Sequence, residues 1–203
     1  APAITRADAA RFLRQATFGP TAAEIDRVVA LGYERWLDDQ LAQPASLQVP
    51  YLKSLPQQPF TQGDRVEAWF RHAVTGPDQL RLRMAFALSQ VLVVSERSAL
   101  AGFPVALAHY YDLLNRHALG DYRELLEAVT LSPAMGVYLS MLGNRRPDEA
   151  SNIRPDENYA RELMQLFTIG LVQLNPDGTP KVDTQGIGLP TYDQSVIEGF
   201  ANV

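Results

Sequence analysis

The chain has 203 residues, a formal net charge of -5 and no cysteine. That excludes disulfides, thiolate chemistry and cysteine-based zinc sites, and it leaves no broad basic face for a phosphate backbone, so nucleic acid is not an expected partner. No apolar run approaches the ~20 residues that cross a bilayer. The length suffices for a single buried core. The opening Ala1-Pro2-Ala3, without an initiator methionine, suits a mature exported chain or a trimmed one.

Helix signals follow one another along the chain. Thr5 caps a first helix through Phe18, with Asp8 at its third position and Phe12, Leu13 and Ala16 inward. Thr21-Ala22-Ala23-Glu24 is a capping box for a second helix to Leu31, stopped by Gly32. A third runs from Tyr33 to Leu41 with Trp36, Leu37 and Leu41 inward. Over 43–63 prolines and glutamines break every period, and Val49, Tyr51, Leu52 and Leu55 predict a long loop packed across the helices. Asp64 caps a helix to about Val74. Leu80 to Val94 shows no polar side and is predicted as the central, all-round buried helix. Further helices start at Gly102-Phe103-Pro104, at Asp121 and at Ser132-Pro133. Residues 171–190 read as a hairpin or loop insertion, and Asp193 caps a last helix that meets the chain end without a stop signal. The fold class is all-α: an irregular multi-helix bundle around one buried helix, with a small β-hairpin near the C-terminal end. The whole of 1–203 is expected to be one helical domain, the front portion of a longer one.

The most informative stretch is Arg154 to Gly170. Pro155 suits a first helical position, Asp156 and Glu157 complement the positive end of the dipole, and Gly170 supplies a stop. Tyr159, Leu163, Leu166 and Phe167 share one face, flanked by Ala160 and Met164; Glu157, Asn158, Arg161, Glu162, Gln165 and Thr168 share the other. Glu157 and Arg161 are spaced for an ion pair, and Asn158 stands four before Glu162. This face reads either as solvated helix surface or as a site holding a carboxylate against a guanidinium. Arg83, at the start of the buried helix, either snorkels to water or seeks a carboxylate such as Glu157 or Glu162. Asn144 and Arg145, in the loop that leads to this helix, join the same prospective network of substrate-binding or structural groups.

His72, His109 and His117 form no zinc motif, so no metal and no cofactor is expected. His117, near a helix C-terminus, is favoured in its protonated form and structural by default, with a catalytic role as the rival reading. Asn175-Pro176-Asp177-Gly178 lacks the closing glutamate of a calcium loop and reads as a turn. No hydrolase elbow or glycine-rich phosphate loop is present.

Arg83-Met84-Ala85-Phe86-Ala87-Leu88-Ser89-Gln90, His117 to Leu126 and Leu131 to Met135 resemble successive blocks of the bacterial family called domain of unknown function 1800. The strongest resemblance is Arg154 to Gly170, which is similar to that family's P-N-E-N-(Y/F)-A-R-E-L-(M/L)-E-L-(F/H)-T-L-G signature. Asp156 and Gln165 stand where the family has Asn and Glu. Phe12 to Pro20, Asp177 to Pro180 and Thr191 to Gln194 also fit. The resemblance implies an exported (periplasmic or extracellular) protein that continues into a further helical half. It also implies a sulfatase- or phosphatase-like partner encoded nearby.

Two functions follow as expectations. One is a binding or scaffold module for a partner protein or an envelope or extracellular polymer, its Arg–Glu groups forming a buried lock. The other is a hydrolase-like enzyme for a sulfated or phosphorylated substrate, with Glu157, Glu162 and His117 as catalytic groups and Arg83, Asn158, Arg161, Arg145 and Asn144 around them.

Overall fold

The computed structural model describes residues 3–202. It is mainly helical, with eleven helices in the described chain and no sheet or barrel, and it divides into two compact units, residues 1–130 and 131–203. Among the described residues no helix is long and apolar enough to cross a membrane.

In the first unit, α1 (Arg6–Ala16), α2 (Ala22–Leu31) and α3 (Tyr33–Leu41) enclose Ala9, Leu13, Ala16, Val28 and Trp36. The cap at Thr5 is a full capping box with Asp8, and Thr21 accepts from the Glu24 N–H, as their spacing predicts. Trp36 is fully buried and donates its indole N–H to Glu24 at 2.9 Å. Leu41, expected inward, is half exposed; the last turn of α3 instead buries Gln40.

The segment 43–63 is not a structureless loop. It contains α4 (Gln48–Ser54), whose first N–H groups, from Gln48 and Val49, are accepted by the Asp112 carboxylate at 2.6 and 3.0 Å. No nearby residue supplies that cap, so local reading misses the helix. In α5 (Gln62–Thr75) the cap is Thr61, and Asp64 is the third residue of its capping box. Then α6 (Gln79–Ser89) ends five residues before Val94 and buries only Ala85 and Ser89. Met84, Val91 and Val93 are exposed, whereas Leu92 and Val94 are buried. The run from Val91 to Val94 thus alternates like an extended segment, a period that its clustered valines obscure. The first unit closes with α7 (Pro104–His117), which opens on its proline, and α8 (Tyr122–Thr130), where Asp121 accepts from the N–H groups of Arg123 and Glu124.

The second unit holds α9 (Pro133–Tyr138), α10 (Asn158–Gln165) and α11 (Gln194–Ala201). Ala160 and Met164 pack against Ile197, joined by Tyr192 and Ala201. Asp193 caps α11 through the N–H groups of Ser195 and Val196. Between α10 and α11 the chain makes isolated bridges, Val172 with Pro190, Leu174 with Pro180 and Val182 with Gly188, and among the described residues these do not extend into the paired strands of a hairpin. Asn175 to Gly178 is a turn: Gly178 has φ 84° and the Asp177 carboxylate accepts from the Thr179 N–H and hydroxyl.

Candidate functional site

The conspicuous stretch of the sequence folds into a shorter helix than its pattern predicts. Asn144 grips the backbone of Asp156 on both sides, donating to its carbonyl and accepting from its N–H, each at 2.9 Å. A peptide held that way is not free to join a helix. Pro155, Asp156 and Glu157 therefore precede α10, and the Asp156 carboxylate caps it through the Asn158 N–H at 2.8 Å. At the far end Gly170, at φ 73°, sends its N–H back to the Met164 carbonyl. The buried face is Tyr159, Ala160, Met164 and Phe167; Leu166, expected inside, is exposed.

Glu157 is held from two helices. Arg161 donates to it at 2.8 Å, and the Gln194 amide reaches both of its oxygens at 3.1 and 3.0 Å. The same Gln194 amide also donates to Glu198 at 3.3 Å. The expected buried Arg–Glu network is absent from this part of the second unit: the side chains of Arg161 and Glu157 keep 42% and 32% of their surface. Water therefore screens the pair, and its worth is on the order of 0.5 kcal/mol. Glu162 is half buried, and its Oε2 is enclosed without a hydrogen-bond partner among the described residues. Asn158 and Arg145 are exposed.

Beside this network lies a cavity of about 450 Å³ whose lining combines Glu149, Arg154, Glu157, Glu198, Asn152 and Asn202 with the apolar Ile153 and Pro155. The structure thus brings Asn144, Glu157, Asn158 and Arg161 to one end of α10. Arg83 and His117 belong to the first unit. There Arg83 lies over the rings of Phe18 and Phe86, 5.5 and 5.6 Å from their centroids, and so has a cation–π setting. His117 is the last residue of α7, partly buried, its carbonyl accepting from the Gly120 N–H. Among the described residues no three His, Cys, Asp or Glu side chains gather as a metal site would require.

Sequence reading missed the polar groups buried in the first unit. Asp78 is fully enclosed and accepts from the Ser46 N–H, the Ser46 hydroxyl and the Asn115 amide. Asp112, also buried, has its carboxyl pushed above the usual carboxylate range by desolvation, an effect that the N–H groups of Val49 and Gln48 oppose. The signal was available: Asp112 and Asn115 interrupt the apolar face that Leu107, Ala108 and Leu114 make on one helix.

A family model described as protein of unknown function (DUF1800) matches residues 11–203. The chain belongs to that family. The match spans both units, from α1 to the end of α11, and so takes in the Asn144 clamp, the Glu157 network and the buried Asp78 and Asp112 alike. No curated protein and no solved structure matches the chain.

Proposed function

We propose that this member of the family is an exported binding module that receives a basic segment of a partner protein in the cavity of its second unit. The observation that carries this reading is the state of Glu157. Arg161 and Gln194 already occupy both of its oxygens, so it is a strut joining α10 to α11 and not a base waiting for a proton. Glu149 and Glu198 also line the cavity, with the single guanidinium of Arg154, and this excess of carboxylates favours a ligand bringing positively charged N–H donors. A sulfatase- or phosphatase-like protein is the kind of partner that the family resemblance supports.

The test is a titration of the protein with a tetralysine peptide, with tetraglutamate as control, followed by the melting temperature. A rise with tetralysine that fades as salt is added, and that the Glu149→Gln/Glu198→Gln double variant loses, supports the reading. Turnover of a sulfate or phosphate ester that Glu157→Gln abolishes in a folded protein replaces it with the hydrolase.

A further inference from the structure

A second concavity lies wholly within the first unit. Its volume is about 260 Å³, and its lining combines the aromatic Trp69, Phe70, Phe86 and Tyr111 with the polar Arg65, Glu96, Ser89 and Gln90. Pockets for drug-sized ligands start near about 300 Å³, so this one has room for a single six-membered ring. Trp69 meets Phe70 edge-on at 4.9 Å and Phe86 in a tilted contact at 5.8 Å. The indole N–H of Trp69 finds no acceptor among the described residues, whereas that of Trp36 is bonded to Glu24.

The charged pair at the pocket is self-neutralising. Arg65 is almost wholly buried, bonded to Glu96 and to the Gln62 side chain at 2.9 Å, and its guanidinium lies 5.5 Å from the Tyr111 ring centroid. An anionic ligand here would face Glu96, and a cationic one Arg65. Burial pushes the Tyr111 phenol above its ordinary value, so at neutral pH it keeps its proton and remains a donor. The hydroxyl of Ser89 donates to the Phe86 carbonyl at 2.7 Å and accepts from the exposed Gln90 amide at 3.1 Å, which leaves the Gln90 carbonyl oxygen and its second N–H for a ligand.

We infer that this pocket binds one neutral pyranose ring. Such a ring has a C–H face that packs on the negative face of an aromatic ring and an edge of hydroxyls that both donate and accept. Those two halves match the aromatic and the polar members of this mixed lining. A purely apolar ligand would leave the polar groups unmatched, and a charged one would break the ion pair. The inference rests on the first unit alone and stands or falls separately from the cavity beside Glu157.

The chain has two tryptophans, so an NMR spectrum of the ¹⁵N-labelled protein shows two indole N–H signals. We expect methyl β-D-glucopyranoside, galactopyranoside or mannopyranoside to move the Trp69 signal saturably in the millimolar range and to leave Trp36 in place. Phe70→Ala, a change at a residue 58% exposed, should weaken that binding about tenfold without unfolding the protein. Gln90→Ala, also at the surface, should weaken it several-fold and tests the polar half on its own. The inference is overturned if none of the three glycosides moves the Trp69 signal, or if both variants bind as the parent does. It is equally overturned if glucose 6-sulfate binds more tightly than the neutral glycosides, or if p-cresol moves the signal and the glycosides do not.

Discussion

The two units are tied together internally by different means. In the first, buried polar side chains bridge distant parts of the sequence: Asp78 holds Ser46, Asp112 holds the start of α4, and Gln40 both donates to the Pro77 carbonyl and accepts from the Leu80 N–H. In the second, the side-chain ties lie at exposed or half-buried groups. Asn144 reaches Asp156, Glu157 reaches Arg161, and the longer ties, Gln194 to Glu157, Gln173 to the Pro190 carbonyl and Thr191 to the Gly170 carbonyl, are no more enclosed. A buried hydrogen bond is costly to leave unmade, whereas a screened pair is cheap to lose. Stability should therefore be concentrated in the first unit, while the second is freer to adjust.

Substitutions can break this contrast. The largest effect is expected for Asp78→Ala, which strands the Ser46 N–H, its hydroxyl and part of Asn115 in the interior; a loss of about 4 kcal/mol should appear as a lower urea midpoint. Next comes Asp112→Asn, at about 2 kcal/mol, because an amide N–H₂ then faces one of two backbone donors. This variant also carries a pH signature. The folded-state carboxyl titrates above the ordinary 3.8, so between that value and the raised one the folded chain holds more protons than the unfolded chain. Its contribution is therefore fully present below 3.8 and is lost as pH rises through the raised value. The stability difference between the parent and Asp112→Asn should shrink over that window, and a difference that grows with pH would contradict the assignment.

In the second unit the effects should be smaller. Asn144→Ala removes both bonds to the Asp156 peptide and should cost about 1 kcal/mol, with faster hydrogen exchange at the start of α10. Glu157→Gln should cost less than about 1 kcal/mol globally, yet loosen the amides of α11, since Gln194 is its partner. If Glu157→Gln proved as damaging as Asp78→Ala, the second unit would be no looser than the first.

The same contrast accounts for what could be read from the amino acids in advance. Helix ends that depend on neighbours were readable at most positions, although the local Thr61 cap of α5 was read three residues late, at Asp64. Thr5 with Asp8, Thr21, Asp121 and Asp193 all cap where their spacing places them. Ends that depend on a distant side chain were not. The cap of α4 comes from Asp112, and α10 starts late because Asn144 holds Asp156. The signature was readable as a helix with a polar end, and Glu157 and Arg161 do pair, but their exposure is decided by packing that spacing cannot reveal. Arg83 shows the same limit, since a guanidinium beside Phe18 and Phe86 satisfies itself on aromatic faces that no i, i+4 rule anticipates.

The double grip of Asn144 on Asp156 has a corollary for chain integrity. It fastens the two ends of the exposed segment 145–155 to each other without a covalent bond, and within that segment Asp148 and Ile153 are bridged as well. A trypsin-like protease that nicks after Arg145, the one arginine of this segment not followed by proline, would leave both flanking pieces still clasped at this point. Under native conditions the cut protein should then migrate as one species, coming apart only when denatured.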